Sequence, residues 1–211
     1  MNNEIKNVYN KIANHFSITR VNHWAGIYEF INSLPQYCLI ADIGCGNGKN
    51  MLLKDKCFIG MDLSEQFCYI CNERKLNTIT ADNLHIPFRN NSFDYAISIA
   101  VIHHLKTEEH RLLCIKNIVN IVKPGGQIFI QVWAFEQPHK TKNKFIQQEN
   151  MVQWKLQSKF SDQKKDEVLY RYYYVFKENE LDTLCNKIYN IKIINSFYEH
   201  GNWCIILEKL E

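Results

Sequence analysis

From residue 38 onward the chain alternates short apolar runs with helical stretches, and this rhythm limits the folds open to it more than any other feature. The runs lie at 38–43, 57–61, 78–81, 93–99 and 126–133, each closed by turn residues. Helical spacing falls between them, near 47–53, 65–74 and 108–122. Strand and helix alternating over about a hundred residues make a parallel sheet wrapped by helices, the doubly wound α/β class. Two amphipathic helices precede the first strand. Ile5, Val8, Tyr9, Ile12 and Phe16 share one helical face, and Trp24, Ile27, Tyr28, Ile31 and Leu34 share another. After Trp133 the rhythm breaks: 136–168 reads as an irregular insertion without clean periodicity. The chain returns with a β-like run at 170–176, a helix starting near Glu178, and two β-like runs at 189–197 and 203–208. Five residues separate the last two, few enough for an antiparallel hairpin.

The length of 211 residues predicts one domain over 1–211 with room for a sizeable core. Hydrophobic residues at 46% and charged residues at 22% exclude disordered and fibrous classes. A net charge of +3 is too mild to announce a nucleic-acid binder by itself. No apolar run approaches the ~18 residues of a membrane span, and the start Met1-Asn2-Asn3-Glu4-Ile5-Lys6 lacks the pattern of a secretory signal. The eight cysteines are therefore expected as reduced thiols, in a protein of the cytoplasm or also of the nucleus. Cys68 and Cys71 have metal-ligand spacing, but no second pair completes four ligands, so both are read as buried small hydrophobes and no metal is expected.

The sharpest motif is Ile40-Ala41-Asp42-Ile43-Gly44-Cys45-Gly46-Asn47-Gly48-Lys49, a strand running into a glycine-rich turn. Glycines let a backbone bend tightly and bring bare N–H groups up to a nucleotide-like ligand. The spacing is Gly-x-Gly-x-Gly, with Lys49 at the position where a dinucleotide site has its third glycine, so a nucleoside carrying an amino acid suits it better than a pyrophosphate. The next strand ends at Asp62, eighteen positions past Gly44, near the spacing at which a carboxylate accepts both ribose hydroxyls. The third strand closes at Ala81-Asp82-Asn83-Leu84, where a carboxylate and neighbouring amides would meet an adenine edge. Asn91–Ser98 then leads into the fourth strand, and Val122-Lys123-Pro124-Gly125-Gly126 is the turn before the fifth.

These signposts, in this order, resemble the Rossmann-like class I S-adenosylmethionine-dependent methyltransferases from about residue 38 to 134. The resemblance implies a mostly parallel seven-stranded sheet, with S-adenosyl-L-methionine held by Asp42, Gly44, Gly46, Gly48, Asp62, Asp82 and Asn83. It narrows on five segments: 9–20, 42–49, Ala96–His104, Trp133–Gln137 and Gly201-Asn202-Trp203. Together they look like the eukaryotic tRNA wobble-uridine carboxymethyl methyltransferases, a family that includes the methyltransferase part of animal AlkB-type fusion enzymes. The match covers nearly the whole chain, with the 138–168 insertion least alike.

That family esterifies 5-carboxymethyluridine to 5-methoxycarbonylmethyluridine, and the resemblance implies tRNA as substrate and a small zinc-binding activator protein as partner. An edge strand near Thr78–Thr80 is a place where that activator could pair. The resemblance also assigns Arg20 to the methionine carboxylate or to the substrate, and Asn202 and Trp203 to the uridine.

The local chemistry agrees with a carboxylate acceptor. After the fourth strand there is no Asn/Asp-Pro-Pro-Tyr/Phe signature for N-methylation and no Pro-Cys pair for attack on a pyrimidine; His103-His104 stands there instead. A carboxylate is ionised at neutral pH and needs no base, only positive or hydrogen-bonding groups that hold it in line. His103, then His104, with Arg20, are the expected catalytic residues. Alternatives are a small-molecule O- or C-methyltransferase, or a non-catalytic nucleoside-binding regulatory module. The mild charge is unevenly spread: residues 136–165 hold seven lysines, Lys140, Lys142, Lys144, Lys155, Lys159, Lys164 and Lys165, against three acids, which leaves the rest of the chain near neutral. This stretch is a candidate phosphate-contacting arm.

Overall fold

The computed structural model describes residues 2–22, 24–53, 55–139, 144–162 and 164–211. Helices α1 (Asn2–Thr19) and α2 (Ala25–Ser33) lead into strands β1 (Leu39–Ile43) and β2 (Cys57–Asp62). Helix α3 (Glu65–Glu73), β3 (Thr78–Thr80), β4 (Phe93–Ile99), α4 (Glu108–Ile121) and β5 (Val122–Trp133) continue the alternation. Strands β6 (Glu149–Leu156) and β7 (Glu167–Tyr174), helix α5 (Glu180–Cys185), β8 (Ile191–Glu199) and β9 (Asn202–Lys209) complete the order.

The main sheet has seven strands in the order β3-β2-β1-β4-β5-β9-β8. The first five run parallel, and β9 pairs antiparallel with both β5 and β8. Connection length explains the change of direction. Helix-sized links carry the chain back to the same end of the sheet, whereas β8 and β9 are joined only by His200-Gly201, whose φ values of 45° and 84° suit a two-residue hairpin turn. The connection from Ile43 to Cys57 is short and has already spent residues on the glycine turn. A single 3-10 turn, Lys49–Leu52, therefore stands where the sequence suggested a helix.

Alternate residues of β1 feed two cores. Ile40 packs with Ile27, Phe30 and Ile31 of α2, while Ala41 and Ile43 join Ile115, Ile118 and Val119 of α4 on the other face. Each fully buried aliphatic side chain contributes about 1.5–3 kcal/mol, so helices cover both faces and function is left to the strand ends. Ser64 and Thr107 cap α3 and α4, accepting from the N–H groups of Phe67 and His110.

The stretch expected to be irregular contains a strand. β6 pairs antiparallel with β7 along their full lengths, as a separate two-stranded sheet. Trp154 and Leu156 point inward from β6, and Arg171 and Tyr173 do so from β7. Trp154 and Leu156 pack against Ile12 of α1. Exposed Lys155, between the two inward positions of β6, masks this alternation. Lys140 and Lys142 lie outside the described residues. No helix among the described residues is long and apolar enough to cross a membrane.

Candidate active site

A cleft of about 1450 Å³, measured out to its open mouth, lies at the carboxyl ends of β1, β2 and β4. β1 and β4 are adjacent although β2 and β3 intervene in sequence, and such a switch point is where doubly wound sheets take ligands. The glycine loop forms its floor. Gly44 (φ 80°) donates to Met61 O at 2.8 Å, and a Cβ built there would lie 2.2 Å from Val101 Cγ2. Gly46 (φ 53°) has the opposite surroundings: it lines the cleft, and nothing among the described residues lies within 4 Å of the position its Cβ would take. A bare backbone thus faces open space, the arrangement that admits a nucleoside. Gly48 faces Cys71 and Leu76 and is not part of the lining.

Asp62 stands on the wall beside this opening. Its Oδ2 accepts from Gly46 N–H at 2.9 Å and its Oδ1 from Ser64 N–H at 2.8 Å, which leaves each oxygen lone-pair capacity for another donor. Burial raises its pKa to about 6, against the lowering effect of backbone N–H donors. Asp42 lies outside the lining, 1% exposed. Burial and then the neighbouring Asp62 charge raise its pKa to about 7. Neither of its oxygens has a hydrogen-bond partner in good geometry among the described residues, although Asn50 lies close enough to oppose the shift. Asn83 lines the cleft; Asp82 instead caps a turn, its Oδ1 accepting from Leu84 N–H at 3.0 Å.

The histidine pair is divided by burial. His103, expected to lead, is 0% exposed and outside the lining. Its Nδ1 accepts from Trp133 N–H at 3.1 Å, so its proton sits on Nε2, which has no partner among the described residues. Burial holds its pKa well below the usual imidazole value. His104 does line the cleft. Its Nδ1 donates to Tyr172 O at 2.8 Å, because a carbonyl can only accept, and its Nε2 accepts from Tyr9 Oη at 2.7 Å. Burial lowers its pKa to about 4. Both rings are therefore neutral at pH 7, so of the positive or hydrogen-bonding role expected of them only hydrogen bonding is left. The cause is β7, which closes over the 3-10 turn Ile102–His104 from far along the chain.

Arg20, just past α1, lines the cleft with its guanidinium over the rings of Phe16 and Trp154. Its carbonyl accepts from Asn47 Nδ2 at 3.3 Å, which ties it to the glycine loop. Asn202 and Trp203 do not reach the lining. Asn202 is buried, donating to Glu199 O at 3.0 Å, and Trp203 Nε1 donates to Glu136 Oε2 at 3.0 Å. Pairing of β9 with both β5 and β8 commits them to the hairpin end. Sequence reasoning missed many cleft residues, among them Tyr9, Trp133, Arg171 and Tyr173. The signal for the last two was the two-residue period of β7, which puts Arg171 and Tyr173 on one face. Cys68 and Cys71 are buried on α3, their thiols donating to Ile79 O and Gly46 O, each at 3.3 Å.

A family model described as a methyltransferase domain matches residues 41–130. Over 99% of its length the chain is 34% identical to a Schizosaccharomyces pombe protein named tRNA (carboxymethyluridine(34)-5-O)-methyltransferase, 97% of which it covers. It is 37% identical, over 98% of its length, to the Xenopus tropicalis protein of that name, alkbh8, and spans 41% of that longer protein. Among solved structures, the complex of the Haloferax volcanii Trm112 methyltransferase activator with a methyltransferase matches with a TM-score of 0.71 at 12% identity, covering 98% of each chain, which is a likeness of fold.

Proposed function

The chain belongs to the tRNA (carboxymethyluridine(34)-5-O)-methyltransferase family, and on that premise we propose that it esterifies the carboxylate of 5-carboxymethyluridine at the tRNA wobble position to 5-methoxycarbonylmethyluridine. The observation that carries this reading is the bare face of Gly46 opening beside Asp62 at the switch point of the sheet. S-adenosyl-L-methionine, the methyl donor, supplies when bound a methyl group already activated by a positive sulfur.

The chain's own residues bind and orient. Asp62 has oxygens free to accept ribose hydroxyls, and Asn83 stands where an adenine edge would be met. Arg20, tied to the loop through Asn47 and lining the cleft, would hold the carboxylate of the donor's amino-acid end. No residue needs to remove a proton, since the acceptor is an ionised carboxylate. The site fits that requirement: His104, with a pKa of about 4 and both nitrogens engaged, serves to hold Tyr9 in place. Holding two reactants in line can supply ~7–11 kcal/mol of the barrier. His103 supports the wall from beneath, through Trp133 and Tyr173.

tRNA would meet the β6–β7 hairpin and the segment leading into it, where Lys155, Lys159, Lys164 and Lys165, and before them Lys144, are exposed. A small zinc-binding activator would pair with β3, which joins the sheet on one side only and exposes Ile79. Such a protein works in the cytosol or nucleus.

Mass spectrometry of tRNA nucleosides tests the function directly. Cells lacking the protein should accumulate carboxymethyluridine or its amide and lose the methyl ester. An unchanged nucleoside profile would overturn the reading.

A further inference from the structure

The cleft contains a buried cation with no anion to meet it. Arg171, inward-facing on β7, is 5% exposed yet lines the cleft with Tyr9, His104, Trp133 and Tyr173. No carboxylate among the described residues pairs with it, and its Nε has no hydrogen-bond partner there. The faces of Trp154 and Tyr173, 4.8 and 5.2 Å from its central carbon, soften the charge without satisfying its donors. An unpaired buried guanidinium is costly and deprotonation offers it no escape, so its retention at a cleft wall calls for an incoming anion.

The surroundings also orient it. Arg171 Nη1 donates to Tyr173 Oη at 2.7 Å. Tyr9 Oη must donate to His104 Nε2, whose other nitrogen is committed to a carbonyl. The Tyr173 hydroxyl proton is thereby left to point at Tyr9 Oη, 3.4 Å away. Every direction in this chain of hydrogen bonds is fixed, from the guanidinium to the Tyr172 carbonyl. One nitrogen of the planar fork is thus anchored on Tyr173, in the wall of the cleft. Arg20 stacks on the same Trp154 ring but is solvent-exposed and bound to the glycine loop through Asn47. The cleft thus has two guanidiniums, Arg20 beside the glycine loop, which would take the donor's carboxylate, and Arg171 on the side of Tyr9 and His104, which is left for another.

We propose that Arg171 is the carboxylate-binding residue for the acceptor, gripping the carboxymethyl group from the cleft wall and discriminating the acid from its neutral amide. This rests on the tRNA carboxymethyluridine reading above. A guanidinium holds a carboxylate with two parallel charge-assisted bonds, whereas an amide offers one neutral acceptor.

The test compares binding of anticodon stem-loops carrying 5-carboxymethyluridine or 5-carbamoylmethyluridine to the full chain, with methyl transfer to the acid measured alongside. Wild type should prefer the acid by about 10- to 100-fold. Arg171→Met should bring that ratio close to one and lower kcat/KM by a similar factor, while calorimetric affinity for the methyl donor stays within about threefold. Should Arg171→Met lose donor binding through misfolding, Arg171→Lys replaces it, with the acid preference expected to shrink by at least about fivefold. A preference that survives in the variant, or that wild type lacks, overturns the proposal. If wild type methylates the acid and the variant does so equally well, only the role of Arg171 falls. If wild type does not methylate it at all, the functional reading falls and the proposal with it.

Discussion

At the scale of single residues, the site is governed by which charges burial permits. Asp42 is 1% exposed and its pKa is raised to about 7, with burial the main cause and the Asp62 carboxylate the second. The ordinary carboxylate value is near 4, so the folded protein holds a proton that the unfolded chain has released between about pH 4 and 7. Its contribution is therefore complete below pH 4 and is lost as pH rises through 7. Asp62, raised to about 6, adds in the same direction. Asp42→Asn should flatten this decline and raise stability at pH 8 by a few kcal/mol at most; urea denaturation at pH 5 and pH 8 checks it, and an unchanged pH slope would contradict the assignment. The histidines illustrate what residue identity leaves open. Adjacent in sequence, one is sealed beneath Trp133 and the other faces the cleft, a division set by β7 packing on the turn that carries them.

At the scale of elements, the glycine loop works because β4 leads directly into Val101, which occupies the space beside Gly44. A methyl group there would sit 2.2 Å from Val101 Cγ2, on a backbone at φ 80°. Strain of this kind costs about 1–3 kcal/mol from the backbone and a similar amount from overpacking. Gly44→Ala should therefore lower the urea midpoint clearly, and adding Val101→Ala should restore part of the loss by relieving the clash. A double variant no more stable than the single one would place the cost elsewhere. The β6–β7 hairpin is the element that composition concealed. Lys155 and Lys159 suggest a solvated loop, yet Val152, Trp154 and Leu156 alternate with exposed positions, and the burial of Trp154 and Leu156 against α1 needs a partner strand ten and more residues away. Sequence reading of 136–168 failed because the charge was conspicuous and the period was not.

At the scale of the whole molecule, a net charge of +3 hides a lysine-rich stretch over 136–165, four of whose lysines, Lys155, Lys159, Lys164 and Lys165, lie on the β6–β7 hairpin. Because that hairpin also walls the cleft, deleting it would remove Trp154 and Arg171 with the lysines. Replacing Lys155, Lys159, Lys164 and Lys165 by Gln is the cleaner test. It should lower the slope of log affinity for tRNA against log salt by ~0.7–0.9 for each phosphate that a lysine had neutralised, with donor affinity unchanged; an unaltered slope would remove the hairpin from the RNA-binding surface. The sequence alone determined the alternation that makes the parallel sheet, the antiparallel ending, the glycine loop and the carboxylate of Asp62, because these depend on local periodicity and on spacings fixed by one strand and one turn. Only the tertiary structure decided that His103 is buried and His104 locked, that Asn202 and Trp203 stay outside the cleft, and that Arg171 enters it. Those outcomes depend on a two-stranded sheet folding back across the strand ends, and burial set by such distant packing leaves no mark in the spacing of the residues it encloses.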